Sequence, residues 1–389
     1  MILPKIKEVI GLLKFVKKSF TKGGFRHICN YITGLIACSK KTVKKIAEST
    51  PDEGHHSAID RILNEAKFEK ERLEKRYLEK IRYLFKNFET YLLFDDTLVE
   101  RNGKKIEETQ SHFDHTTNGY LTGHQFFTAI IYTPFLELPI FPELYSKNTI
   151  SKIEMANNLI DKLNNNSIKI HTVEFDSWYS DDDLINKCIS YGSRVVCAIK
   201  TNRKIKFKCT RKWRSLSFVT ERINPTGYPE LKIDGKKYRA ANYEIRLNKM
   251  KLVKLIISHQ WDEDKKVWNK VHLISTNLSD TPEKIIRAYK IRWNIETYHR
   301  DIKQNLGFAN TYLRKRESIV RYTILATIAY AILRLFMYFN GITQTIGECC
   351  NYLLDKSMKT VLIEIIETED KSQRKELFQE AFINKIRQV

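Results

Sequence analysis

Apolar residues recur at helical spacing through the first 90 positions, with little of the strict alternation that marks strands. Residues 25–37 and 41–48 read as short helices, and 57–88 as a long, strongly charged one after the polar loop Ser-Thr-Pro-Asp-Glu-Gly-His-His-Ser at 49–57. Residues 1–20 interleave lysines with apolar positions, as an amphipathic helix does. From Tyr91 the texture changes to short apolar runs bounded by turn residues. Tyr91-Leu92-Leu93-Phe94 predicts a buried strand ending in Asp95-Asp96-Thr97, with further strands at 125–132 and 135–141. A helix over 149–164, a strand over 167–175 closing on Asp176, a helix over 181–191 and a strand over 194–199 follow. Residues 201–280 contain short β-type runs such as 252–259 and 271–275, and a structureless connection of that length inside a compact domain is improbable. Beyond them come a helix over 281–307, an apolar helical stretch over 319–354 and a charged surface helix from Glu364 onward.

The order β-β-β-α-β-α-β, followed after a gap by a helix, matches an RNase H-like core. The predicted fold is therefore α/β: a mixed sheet flanked by helices, with an inserted mostly-β subdomain and an N-terminal helical bundle. The expected division is a helical DNA-binding unit at 1–90, the first part of the core at 91–200, the β-rich insertion at 201–280, a core helix at 281–310 and a helical C-terminal region, a candidate for dimerisation, at 311–389.

The helix over 281–307 has Thr281 to cap its first turn, Pro282 at the first helical position, Glu283 against its positive end and Gly307 to stop it. Ile291, Ile295, Tyr298, Ile302 and Leu306 form one stripe facing a core. Tyr289, Arg292, Glu296 and Lys303 fall within about 60° of one another on a second stripe. One carboxylate thus stands between two cations and a phenol, a spacing that a surface ion-pair ladder would also give.

Charge narrows the partners. A formal net charge of +21, with 67 Lys and Arg spread along 389 residues, favours a polyanion, with nucleic acid foremost. The segment 39–47 reads as a helix start with Ser39 as its cap and exposed lysines, either docking on DNA phosphates or forming a solvated face. Cys29, Cys38, Cys188, Cys197, Cys209, Cys349 and Cys350 include no CxxC pair, which argues for reduced thiols. The N-terminus lacks the apolar run and cleavage site of a secretory signal, and the longest apolar stretch, 324–339, is interrupted by Arg334. A cytoplasmic protein with no membrane partner is expected.

Three acids stand out by position: Asp95 and Asp176 at strand ends, and Glu296 on the helix. Carboxylates are what Mg²⁺ selects, and two such ions about 4 Å apart can activate a nucleophilic oxygen and stabilise a leaving one. Asp96 adjoins Asp95 and is an alternative ligand; strand alternation puts the two on opposite faces. Asp181, Asp182 and Asp183 open a helix and read as cap and dipole partners. His112, His115 and His124 match no common zinc spacing, and His124-Gln125 reads as a structural pair or a substrate contact.

Tyr289, Arg292, Glu296 and Lys303, separated by two, three and six residues, reproduce the Y-(2)-R-(3)-E-(6)-K signature. The chain thereby resembles insertion-sequence transposases of the IS-four-type DDE superfamily over about residues 90 to 310, with Asp95-Asp96-Thr97 and Asp176-Ser177-Trp178-Tyr179 similar to its two aspartate motifs. The resemblance implies a DNA transposase working by Mg²⁺-dependent cut and paste, with two ions that Mn²⁺ can replace. Asp95, Asp176 and Glu296 would be the catalytic metal ligands, with Asp95 preferred to Asp96 because the family's motif places its metal aspartate first. Arg292 and Lys303 would grip phosphates, and Tyr289 would hydrogen-bond a terminal one. The family commonly passes through a DNA hairpin with a flipped base stacked on an aromatic ring, for which Trp293, Trp213, Trp261 and Trp268 are candidates; Trp293 points to a different sector from Glu296. His299 is a further candidate DNA contact. The implied partners are the element's terminal inverted repeats, the target DNA and a second copy of the chain. A nuclease of this fold that does not join strands, or a non-catalytic DNA-binding descendant, are the alternatives.

Overall fold

The computed structural model describes residues 6–49, 56–64, 69–103, 105–114, 118–223, 225–250 and 252–379. Most of the predicted 49–57 loop, and His115, lie outside them. The chain opens with helices α1 (Lys7–Leu13), α2 (Lys22–Ala37), α3 (Val43–Ser49), α4 (His56–Asn64) and α5 (Lys70–Phe85). The charged stretch expected as one helix over 57–88 is thus two, α4 and α5. The cap of α3 also differs from expectation. The Lys45 amide donates to Thr42 Oγ1 at 3.2 Å, so the cap is Thr42, three residues beyond Ser39, and the helix begins at Val43.

The sheet begins with β1 (Tyr91–Glu100), β2 (Gln110–Asp114), β3 (Gly119–Tyr132) and β4 (Glu137–Tyr145). Strand β2 was not expected, because Gln-Ser-His-Phe-Asp carries no apolar alternation; its backbone is held by the long β3, with His112 opposite Leu121. Helix α6 (Lys152–Asn165), β5 (Thr172–Phe175), α7 (Asp182–Ser190) and β6 (Arg194–Ala198) complete the alternating unit. Asp181 caps α7, its carboxylate accepting from the Asp183 and Leu184 amides. Strand β1 lies between antiparallel β3 and parallel β5, and β5 pairs parallel with β6. This is the mixed sheet of an RNase H-like fold.

The insertion continues the same sheet. It comprises β7 (Lys204–Phe207), β8 (Arg214–Ser215), α8 (Leu216–Thr220), β9 (Glu230–Ile233), β10 (Lys236–Arg246), β11 (Leu252–Asp262) and β12 (Val267–Ser275), and β12 pairs antiparallel with β6. The chain ends in α9 (Pro282–Ile291), α10 (Trp293–Asn305), α11 (Arg316–Asn340), α12 (Ile346–Glu367) and α13 (Lys371–Phe378). The helix expected over 281–307 is therefore broken, and the break falls at Arg292. There the Arg292 amide donates to Tyr289 O and the Ile295 amide to Arg292 O, bonds of tight i to i+3 type. Asn294 Nδ2 takes the Ile291 carbonyl at 2.7 Å, a side chain competing with the helical ladder.

Helix α11 is apolar nearly all round, as a helix enclosed by its own protein is. By length and composition it is the one helix among the described residues that qualifies to cross a membrane, and its most apolar window is 83% buried within the fold. It contacts β4, α1, α2 and α4, so one helix ties the N-terminal helices to the sheet. Tyr330 on it meets Tyr298 of α10 edge-on at 4.9 Å and donates to buried Glu137, which Arg334 faces at 3.4 Å.

Gly307, just beyond α10, has φ +73°, and a Cβ there would stand 2.6 Å from Lys41 Cβ. The N-terminal helices pack against the end of α10 through this gap. Gly307→Ala is expected to cost about 2–5 kcal/mol, adding left-handed strain to overpacking. Urea denaturation checks it, and a loss below about 1 kcal/mol would contradict so close a packing.

Candidate active site

Parallel pairing of β1 and β5 sets the site. Leu93 lies opposite Glu174, so two residues further along Asp95 and Asp176 come side by side on the same face. Asp176 directly follows β5, whereas Asp95, expected at a strand end, lies within β1, which its pairing with β3 carries on to Glu100. Asp176 caps the short turn Ser177–Tyr179, accepting from the Trp178 amide at 2.9 Å. Asp95 accepts from the Asp96 amide at 2.8 Å. Asp96 itself faces away and is well supplied: Lys152 at 3.1 Å, the Tyr179 hydroxyl at 3.1 Å and Gln125 Nε2 all reach its carboxylate. Its negative charge is met by a lysine of its own, whereas Asp95 shares one arginine, Arg292, with Glu296.

The helices face Asp95 and Asp176 at their break. Arg292 Nη2 donates to Glu296 Oε1 at 2.7 Å, Nη1 lies 3.6 Å from Asp95 Oδ2, and the guanidinium stands 5.5 Å from the centre of the Tyr289 ring. One arginine thus bridges two of the three predicted carboxylates. Burial, then the charges of Asp96 and Asp176, push the Asp95 carboxyl up to about 7, although the Asp96 amide and Arg292 act in the opposite direction. Burial pushes the Tyr289 phenol up to about 12, with Asp176 adding to it. Asp95, Asp176, Tyr289, Arg292 and Glu296 are thus gathered in one place.

The other predicted residues lie apart. Lys303 Nζ donates to the Leu98 carbonyl at 3.0 Å, further along β1. His299 turns inward: its Nε2 is 2.6 Å from Thr128 Oγ1, which donates to the Asp95 carbonyl at 2.9 Å. Since the threonine proton goes to that carbonyl, the Nε2 proton goes to the threonine. Burial, Lys303 and Arg292 push the imidazole down to about 3, so it is neutral. His299 therefore props the backbone of Asp95 from below, unlike the outward contact expected of it. Trp293 is 62% exposed at the start of α10. His124 is buried with Nε2 on the Glu107 carbonyl at 2.8 Å, and His112 is buried beside Tyr145.

Two residues escaped the sequence reading. Trp178 is exposed two positions beyond Asp176, with Lys152 Nζ 4.4 Å from its ring centre. Its place in the second aspartate motif was the available signal. Glu174 is fully buried on β5, and burial drives its carboxyl well above the ordinary range despite Arg194 and Arg292. Nothing in the sequence distinguishes it from an exposed strand glutamate.

Among the described residues no three His, Cys, Asp or Glu side chains form a ready cage for an ion. The charge between Asp95 and Glu296 is the Arg292 guanidinium. The donors are nevertheless all carboxylate oxygens, and burial with the like charges of Asp96 and Asp176 holds the Asp95 carboxyl up even beside Arg292, so the chemistry fits a hard divalent cation.

A family model described as a transposase DDE domain matches residues 86–332, and one described as a DDE superfamily endonuclease matches residues 16–151. No curated protein matches the chain.

Asp95 supplies a test of the metal-free site. In the unfolded chain its carboxyl ionises near 3.8, and in the folded one near 7. Between those values the folded form holds the proton more tightly, so ionisation costs stability as pH rises from about 4 to about 7, and the full cost persists above that. Asp95→Asn cannot ionise. In EDTA at about pH 8 it is expected to melt above the parent, by about 1 °C for each kcal/mol relieved in a chain of 389 residues, with the gap closing towards about pH 4. Thermal melts across pH decide this, and an unchanged or lower melting temperature at about pH 8 would contradict it.

Proposed function

Because the chain belongs to the transposase DDE family, a family of metal-dependent DNA-processing enzymes, we propose that it moves an insertion sequence by Mg²⁺-dependent cut and paste, with Asp95, Asp176 and Glu296 as the catalytic metal ligands. The observation that carries this reading is that Asp95, within β1, stands beside Asp176, at the end of the parallel β5, and that both face the helix junction bearing Arg292 and Glu296. Divalent cations bound by these carboxylates would supply Lewis-acid neutralisation at the reacting phosphate.

The chemistry is a chain of phosphoryl transfers. Water attacks the phosphate at the element's end; the P–O3′ bond breaks and a 3′-hydroxyl is released. For excision through a hairpin, that hydroxyl attacks the opposite strand and displaces the flanking DNA's 3′ oxygen, and water then opens the hairpin and frees the 3′-hydroxyl again. In the joining step, that hydroxyl attacks a target phosphate and displaces the target's own 3′ oxygen. Arg292 and Lys303 bring positive charge to the neighbouring phosphates, and the Tyr289 phenol, protonated across the working pH range, serves as a hydrogen-bond donor. His299, through Thr128, keeps the Asp95 backbone fixed while charge accumulates. Trp293 and Trp178 offer exposed rings for an unpaired base if the excised end closes into a hairpin. Two copies of the chain would hold the two ends in the cytoplasm, where the DNA is.

Asp95→Ala, Asp176→Ala and Glu296→Ala are each expected to lower metal-dependent cleavage of a duplex carrying the DNA that flanks the reading frame by at least about a hundredfold, while DNA binding persists. Gel assays of nicking and of strand transfer measure both steps. Full strand transfer by Glu296→Ala would sink the assignment, and cleavage without joining would make the protein a nuclease only.

A further inference from the structure

Away from the carboxylates, a cleft of about 740 Å³ opens where three segments meet: the turn before α3, the end of β1 and the stretch after α10. Its lining includes Lys40, Lys41, Arg101, Lys105, Tyr312 and Arg314, against the single acid Glu100. Two of these cations are unusually placed. Arg101 is only 7% exposed; its Nη1 donates to the Ala309 carbonyl, and its Nε finds no partner among the described residues. Lys41 bonds the Ile36 carbonyl at 3.2 Å, and its stem passes against Gly307. Burial lowers the pKa of both, and no carboxylate among the described residues pairs with either. Holding cations away from water with no carboxylate beside them is costly, so an anion arriving from outside would recover energy that the fold leaves uncompensated.

The cleft also has a defined position relative to the carboxylates. Along β1, Arg292 stands at Asp95, Lys303 at Leu98 and the cleft at Arg101. At about 3.3 Å per strand residue these stations lie roughly 0, 10 and 20 Å along one line. Twenty ångströms is about six base pairs of duplex, at about 3.4 Å each. The exposed Tyr312 ring and the exposed Lys105 and Arg314 side chains form the rim. Nothing in this arrangement reads a base edge; it is built for a backbone.

We infer that the cleft between the N-terminal helices and the core grips the phosphodiester backbone of duplex DNA about six base pairs from the phosphate being cut, with buried Arg101 and half-buried Lys41 at its floor and Lys105 and Arg314 at its rim. This rests on DNA as the substrate of the carboxylate site and names where else the same duplex is held. Since Lys41 packs on Gly307, a backbone seated there also bears on the end of the helix that carries Glu296.

Fluorescence anisotropy with a random-sequence duplex of about 30 base pairs, in EDTA, tests the grip independently of cleavage. Lys105→Ala combined with Arg314→Ala, both at exposed positions, is expected to reduce the slope of log affinity against log salt by about 1.8 and the affinity at about 0.1 M salt on the order of tenfold. Lys41→Met, which keeps the stem against Gly307, is expected to lower the slope by about one more. Hydroxyl-radical footprinting on a duplex carrying the element's end should show protection about six base pairs from the cut in the parent and its loss in the double variant. A double variant that keeps its circular dichroism spectrum and the parental slope, or a parent with no protection at that distance, would overturn the inference. Because EDTA is present, those results stand whether or not Glu296 proves catalytic; cleavage by the parent in Mg²⁺ decides that separately.

Discussion

Two carboxylates placed side by side repel, and the parallel pairing of β1 with β5 leaves Asp95 and Asp176 no alternative. The register is fixed by buried residues, Leu92, Leu93 and Phe94 against Val173 and Phe175, so the sheet cannot slip to part them without exposing its core. The surroundings answer that constraint. Arg292 is lodged between Asp95 and Glu296, Asp96 is turned to its own cation on the far face, and the Asp95 carboxyl takes up protons far more readily than an exposed aspartate. A fold that accepts this cost midway along its central strand has a use for concentrated negative charge there, and a metal-dependent transposase is such a protein.

Much of this could be read from the chain, because the features that fix the site are local. A buried run ending in two aspartates, a second run ending in Asp176 and a helix with Arg292 and Glu296 four residues apart each announce themselves within a dozen residues. Alternation assigned Asp96 to the opposite face, where Lys152 and Tyr179 hold it. The inward turn of His299 was not legible, since it depends on Thr128, a residue 171 positions away brought beneath it by the pairing of β1 with β3. Nor was β2, a polar edge segment made into a strand by the length of its neighbour. The helix break at Arg292 is subtler, arising from Asn294 capturing one carbonyl while capping signals 10 residues earlier and 15 later still describe a continuous helix.

Helix α11 explains why so basic a chain remains compact. Cations crowd the surface, but the interior is organised around one helix that is apolar on every side and touched by both the N-terminal helices and the sheet. Its few polar groups are matched internally: Tyr330 and Arg334 both turn to Glu137. Self-repulsion at the surface is thus opposed by burial that does not depend on salt.

The break at Arg292 also divides a mechanical load. Helix α9 leans on the insertion, where Arg287 and Lys290 both hold Asp234 in the turn between β9 and β10. Helix α10 leans the other way, on α11 through Tyr298 and on β3 through His299. What looks along the sequence like a single rod is a pair of levers anchored in different parts of the protein, and the guanidinium that keeps the carboxylates apart sits on their common pivot.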